Sequence, residues 1–349
     1  MTIRSNLKHL KKKFKIEINR YLGRTFIPHI RTHLYIEPSS VCNLKCSFCA
    51  YDKKTTPQMN MSNQFFFDVI EQAIEMGYQR FGLTPITGEL FMDKNVMDKI
   101  EYLENHPKVK LFHFFTNFTI PDENTIKRLS ALRKLSYIAI SVYGHDQESF
   151  VETTKSTPHV YQRLVNNLRT LYSICDNFKA RLQIHCRTGY YSSFSQKNWN
   201  SSLADIIKKL KEDKAIPLSF TKYYNNWGGL ITQGDVAALD MTIRQAKDVY
   251  KKGPCTLIFY KQQIVVDGKV NACACRDANA TLCIGDLKQT PLKEILSTSN
   301  KYYMQLIEEQ QRGRFKAICQ SCDFYKSIYQ TSRRYKNNMM TLEEFFQGL

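Results

Sequence analysis

Short apolar or β-branched runs recur through the first two thirds of the chain, at residues 33–37, 80–84, 109–116, 136–143, 181–188 and 217–223. Most are separated by stretches such as "NQFFFDVIEQAIEMG" and "VYQRLVNNLRTLYSI", whose apolar residues recur at helical spacing. Six alternating strand–helix units predict an α/β fold: a parallel sheet with right-handed crossovers, wound as a partial (β/α)6 TIM-like barrel. Its chemistry is expected at the carboxyl ends of the strands. After Gly253 the pattern changes. "CTLIFYKQQIVVDGKVNACAC" reads as two strand-like pieces around Asp267-Gly268, a hairpin signal. No repeat or low-complexity linker marks a boundary, so the change of pattern places it. Residues 1–32 form a basic amphipathic segment, 33–250 the core, 251–330 a small hairpin-and-helix domain and 331–349 a tail.

Composition narrows the class. A chain of 349 residues with 43% apolar residues can bury a full core. It has neither an apolar run long enough to span a bilayer nor the apolar block of a secretory signal, and a cytoplasmic location is expected. In that reducing setting eleven cysteines are read as metal ligands or catalytic thiols rather than disulfides. Cys175 and Cys186 stand alone in helix-like and strand-like segments and are read as small buried hydrophobes. The formal charge of +18 is uneven. Arg4, Lys8, Lys11, Lys12, Lys13, Lys15, Arg20, Arg24 and Arg31 face one acid, Glu17, while Leu7, Leu10, Phe14, Ile18 and Leu22 recur at helical spacing. The default reading packs this helix on its own domain with a basic face in water; an anionic surface of the inner membrane or a polyanion are the alternatives. Arg333, Arg334 and Lys336 add charge near the other end. Such an excess favours an acidic or phosphorylated substrate without naming one.

The distinctive chemistry lies where the first strand ends. "PSSVCNLKCSFCAYD" sets Cys42, Cys46 and Cys49 in the pattern CxxxCxxC. Structural zinc asks for four ligands, and this loop needs a distant fourth. An iron–sulfur cubane held by three thiolates instead keeps one iron open to a small molecule. The loop resembles that of the radical S-adenosylmethionine (SAM) superfamily, including the aromatic residue, here Phe48, before the last cysteine. The resemblance implies a [4Fe–4S] cluster that binds SAM, a 5′-deoxyadenosyl radical that abstracts hydrogen, and a flavodoxin- or ferredoxin-type reductant. "ITGEL" is similar to the family's Gly-Gly-Glu segment, with Thr87 in place of the first glycine, Gly88 allowing close approach and Glu89 meeting the SAM ammonium. "FFTNF" is similar to its Thr-Asn-Gly, supplying Thr116 and Asn117 with Phe118 in place of glycine, and "ISVYG" supplies Ser141. Lys155 is the candidate basic residue for the SAM carboxylate.

A second set, Cys255, Cys273, Cys319 and Cys322, is spaced C-x17-C-x45-CxxC. Four thiolates can close an electron-relaying cubane or, alternatively, hold zinc. The arrangement resembles the SPASM and shortened twitch extensions of radical SAM enzymes and implies one auxiliary 4Fe-4S cluster. Cys275 and Cys283 are left unassigned: alternative cluster ligands, members of a second auxiliary cluster, inert thiols or, for an epimerisation, candidate hydrogen donors. By this spacing the chain resembles an aminocyclitol dehydrogenase of the butirosin pathway. About 33 residues precede the first strand, few for a leader-binding domain. The expected reaction is therefore dehydrogenation or epimerisation of a hydroxylated small molecule or carbohydrate, with the positive charge favouring a phosphorylated one. Modification of a peptide or protein by a maturase is the alternative, and nucleic-acid modification is a weaker one. In "FTKYYNNWGG", Lys222 is the candidate base or phosphate partner, Asn225 and Asn226 the hydrogen-bonders and Trp227 the stacking surface.

Overall fold

The computed structural model describes residues 3–29, 33–187, 201–331 and 338–348. Arg31, Thr188, Arg333, Arg334 and Lys336 lie outside them. Helix α1 spans Ile3–Tyr21. Six parallel strands follow: β1 (Leu34–Ile36), β2 (Arg80–Gly82), β3 (Leu111–Thr116), β4 (Leu135–Tyr143), β5 (Arg181–Arg187) and β6 (Leu218–Phe220). Helices α2 (Asn63–Glu75), α3 (Val96–Asn105), α4 (Glu123–Ser130), α5 (Gln147–Thr154), α6 (Pro158–Ile174) and α7 (Ser202–Glu212) are interleaved with them. Local caps set several starts. Ser62, Asp122 and Ser201 accept backbone N–H bonds from Phe65, Thr125 and Ala204, satisfying donors that the first turn leaves open.

The hairpin expected around Asp267-Gly268 is present as β7 (Gln263–Ile264) and β8 (Lys269–Asn271), with Gly268 at φ +96° in the turn. It does not stand apart from the core. Strand β7 pairs in parallel with β1, and β9 (Cys283–Asp286) adds antiparallel to β8. Among the described residues one sheet runs β9-β8-β7-β1-β2-β3-β4-β5-β6. The fold is mixed α/β around this mostly parallel sheet, which does not close on itself among the described residues.

Alternation along the strands separates two faces. Phe112 and Phe114, Ile138 and Ile140, and Leu182, Ile184 and Cys186 are buried with the helices' apolar residues Phe66, Val69, Ile100, Leu164 and Leu168. Cys175 is also in this core, so both lone cysteines are inert packing residues. The opposite, concave face carries His113, Phe115, Tyr137, Gln183, His185 and Ser219. The Phe115 ring lies 5.7 Å from His185 and 6.0 Å from Tyr137, and His185 bridges Tyr137 Oη at 2.9 Å and Ser219 Oγ at 2.7 Å.

Two residues at strand ends differ from the glycines of the pattern they resemble. Phe118 adopts φ +58°, the left-handed conformation that glycine takes without strain, and is 1% exposed. Burial of the aromatic ring offsets a backbone cost of about 1–3 kcal/mol. Thr87, by contrast, is not among the positive-φ residues and needs no glycine. Gly88 is required by crowding rather than by φ. A Cβ there would sit 2.7 Å from the Ser39 carbonyl oxygen and 3.1 Å from Ser40 Cα. Gly88→Ala is therefore expected to push the Thr87–Glu89 loop off the segment leading to Cys42 and to lower stability by about 1–3 kcal/mol, as measured by chemical denaturation of the metal-free protein.

Candidate active site

Loops at the carboxyl ends of β1 to β5 and the segment after β8 surround one cavity of about 430 Å³. Cys42, Cys46, Cys49, Phe48, Gly88, Glu89, Thr116, Asn117 and Ser141 all line it, and so does Cys275. The cysteine loop is held from outside by α5. Lys45 N–H and Ser47 N–H donate to the Thr154 and Thr153 carbonyls at 2.9 and 3.0 Å. Cys42 N–H donates to Tyr51 Oη at 3.0 Å. Phe48 is 3% exposed, with its ring 5.3 Å from both Tyr143 and Tyr224.

Burying three thiols together disfavours their thiolates. Burial first, then the Glu89 carboxylate, pushes Cys42 up to about 12. Burial raises Cys49 to about 11 and Cys46 well above the ordinary thiol value, with Cys49 and Cys42 adding to the effect at Cys46. A bound cation reverses that balance, since metal-ligating cysteines are thiolates. Among the described residues no group of three or more His, Cys, Asp or Glu side chains is arranged to hold a single metal ion. Three thiols around one cavity suit the donor set of a cluster with an open iron.

Glu89 joins the motifs. It is 2% exposed; Oε1 accepts from Thr116 Oγ1–H at 2.6 Å, and Oε2 accepts from Asn117 N–H at 2.6 Å. Burial raises its carboxyl to about 7, against the opposing pull of these hydrogen bonds. Asn117 Nδ2 donates to Asn43 Oδ1 at 2.9 Å, and Asn43 donates in turn to Thr119 Oγ1. Asn43 thus ties the cysteine loop to the end of β3, a role its sequence position did not announce.

The auxiliary cysteines gather behind the same wall. Cys255 interacts electrostatically with Cys322 and Cys319, and Cys273 with Cys275 and Cys255. Burial pushes Cys255 and Cys319 up to about 12. Neighbouring groups already address the sulfurs: Phe324 N–H donates to Cys322 Sγ at 3.2 Å and Gln310 Nε2 to Cys319 Sγ at 3.6 Å. This four-thiol set fits a closed cluster. Cys275 is a fifth thiol beside it, hydrogen-bonded to Cys273 and near Lys261, Arg276 and Lys326, which together lower it to about 6.

Other expected residues lie elsewhere. Lys155 is exposed, at φ +50° just past α5, and is outside the cavity lining. Lys222 is exposed and outside the cavity lining. Cys283 is exposed and faces a separate cavity of about 200 Å³ beside Glu37. Asn225 and Trp227 do line the main cavity, whereas Asn226 is used structurally, donating to the Ser321 carbonyl at 2.7 Å. Sequence reasoning missed Tyr35, His113, Arg187, Lys261 and Arg276, all of which line the cavity. The only available signal was polar residues recurring every second position, as in Gln183, His185 and Arg187. Burial lowers His113 and His185 to about 4, so both imidazoles are neutral at pH 7. The Arg276 guanidinium lies 4.5 Å from the Phe324 ring and 5.4 Å from that of Trp227.

Known structures share this fold. The structure of BtrN in complex with AdoMet and 2-DOIA matches with a TM-score of 0.54 at 15% identity, over 90% of this chain and 100% of that one. Streptococcus suis SuiB bound to precursor peptide SuiA matches with a TM-score of 0.51 at 14% identity, over 93% and 76%. Native anSMEcpe with bound AdoMet matches with a TM-score of 0.51 at 17% identity, over 91% and 96%. No curated protein gives a significant match. The family model described as the radical SAM superfamily matches residues 36–182, and that of an iron–sulfur cluster-binding domain, SPASM, matches residues 255–323. Together these matches take in both cysteine sets and strands β2 to β4 of the central sheet, and the chain belongs to the radical SAM superfamily with a C-terminal SPASM domain.

Proposed function

We propose that the protein is a radical SAM oxidoreductase that dehydrogenates or epimerises a hydroxylated small molecule or carbohydrate bearing an anionic group. When bound, the cluster on Cys42, Cys46 and Cys49 together with SAM supplies a hydrogen-abstracting radical, and the auxiliary cluster supplies a one-electron relay. The observation that carries the reading is the state of the cavity wall. Thr84 Oγ1, Gln263 Oε1 and Arg276 Nε are buried polar atoms without a protein partner, and all three residues line this cavity. Buried polar atoms are nearly always satisfied, so such a wall suits a ligand rich in hydroxyls. Arg187, Lys261 and Arg276 line the cavity against one carboxylate, Glu89, a balance that favours a phosphate or carboxylate.

The remaining roles follow from position. Glu89 receives the SAM ammonium while Thr116 and Asn117 orient its oxygens. Ser141 and Arg187 serve the SAM carboxylate in place of the distant Lys155. Phe48 and Tyr143 shield the cluster loop from water. Neutral His113 replaces exposed Lys222 as acceptor of a substrate hydroxyl proton. Cys275 lines the cavity whereas Cys283 does not, and in its protonated form the Cys275 thiol is the candidate that returns a hydrogen atom.

Anaerobically reconstituted enzyme is expected to carry about eight iron atoms per chain and to form 5′-deoxyadenosine with SAM, reductant and a member of a panel of sugar phosphates, aminocyclitols and peptides. Loss of a pair of hydrogen atoms from the product marks dehydrogenation; unchanged mass with solvent deuterium marks epimerisation, and in that case Cys275→Ser abolishes product but keeps 5′-deoxyadenosine. Turnover of peptides alone would move the reading to side-chain modification, and a Cys46→Ala protein that still turns over would overturn it. SAM affinity supplies a pH test. The ammonium favours ionised Glu89, whose carboxyl titrates near 7, so binding is full above that value and weakens as pH falls through it. Equilibrium binding at pH 6 is expected to be about tenfold weaker than at pH 8, and Glu89→Gln is expected to flatten the profile.

A further inference from the structure

Helix α1 faces the wrong way for a helix that merely packs on its own domain. Its attachment runs through Ile16 and Asn19, which are 1% and 5% exposed, and Asn19 Nδ2 donates to the Tyr329 carbonyl at 2.8 Å. Glu17 bonds to Tyr250 Oη, and Lys13 Nζ sits 5.2 Å from the Tyr250 ring. The apolar stripe points elsewhere. Leu7, Leu10, Phe14, Ile18 and Tyr21 are 52%, 62%, 70%, 40% and 90% exposed, and Leu22 just beyond is 49% exposed. At 100° per residue the first five fall within an arc of about 80°, opposite Ile16. Scattered exposed apolar residues are ordinary; a continuous ridge of five is not.

We propose that α1 is an interfacial anchor that rests on an anionic lipid bilayer. Exposed Lys11 and Lys15 lie within about 60° of one edge of the ridge, and exposed Arg24 follows just past the end of the helix. The helix's acid, Glu17, is already engaged by Arg20 at 3.0 Å and by Tyr250. Lysine is depleted in protein–protein interfaces, whereas lysine flanking an apolar helix face complements lipid phosphates. A convex ridge of leucine, phenylalanine and isoleucine also suits a deformable acyl boundary, into which an amphipathic helix sinks by its apolar face. Among the described residues no helix is long and apolar enough to cross a membrane, so the contact is peripheral.

The test is co-sedimentation of the reconstituted holoenzyme with phosphatidylcholine vesicles, with and without phosphatidylglycerol. Binding is expected only with phosphatidylglycerol and is expected to fall as salt rises. Leu10→Glu with Phe14→Glu should weaken it by about tenfold or more, and Lys11→Gln with Lys15→Gln should weaken it while reducing its salt dependence. Iron content and substrate-free 5′-deoxyadenosine formation should match the parent, since neither pair touches the cavity. Failure to sediment with anionic vesicles overturns the proposal, as does binding that survives Leu10→Glu with Phe14→Glu. Self-association in sedimentation velocity, abolished by that double substitution without any vesicle binding, would instead assign the ridge to a second copy of the chain.

Discussion

Three thiols buried within one wall cannot all ionise unless a cation joins them, and the local structure is organised around that demand. The loop carrying Cys42, Cys46 and Cys49 has no regular hydrogen-bonded ladder of its own. It borrows carbonyls from the end of α5, a hydroxyl from Tyr51 and the amide of Asn117 through Asn43. Each support comes from a different part of the chain, so the loop is positioned only once the sheet and its helices have formed. Electrostatics and folding are thereby coupled: the scaffold presents the sulfurs, and the metal centre relieves the cost of burying them together.

The sheet serves the site by its direction. Parallel strands end on the same side, so the loops after β1, β2, β3 and β4 meet over one cavity. Strand β7 extends this logic across what reads in sequence as a separate domain. By pairing in parallel with β1 it places Lys261 and Gln263 on the cavity wall and carries the chain on to Ala274, Cys275 and Arg276. The auxiliary cysteines then lie directly behind the wall, close enough for Cys273 and Cys275 to share a hydrogen bond. A hinge between core and SPASM segments would separate the two cysteine sets; a shared sheet holds them at a constant distance.

The concave face shows how the same fold accommodates polar chemistry in its interior. Tyr137, Gln183, His185 and Ser219 satisfy one another, while Thr84, Gln263 and Arg276 keep atoms in reserve. Neutral histidines fit this setting, because desolvation and nearby cations both disfavour the imidazolium. Phe118 carries a related lesson. The strand-end position keeps its left-handed backbone although glycine is absent, since a fully buried ring repays the strain.

The order of β1 to β6, the alternation of helices, the hairpin at Asp267-Gly268 and the spacing of both cysteine sets were legible along the chain, because each depends on residues close in sequence: a two-residue or 3.6-residue period, a turn dipeptide, or fixed cysteine spacing. The position of Glu89, Thr116, Asn117 and Ser141 at the cavity was also legible, each lying at the end of a strand whose place in the order is regular. Lys155 and Lys222 were not separable from Arg187, Lys261 and Arg276 by inspection, since one cation looks like another until the sheet decides which side chains point into the cavity. Cys275 and Cys283 were equivalent in sequence for the same reason. The outward turn of α1 could not be read either: periodicity locates an apolar stripe but not the face that packs, and only the contacts of Ile16 and Asn19 decided it.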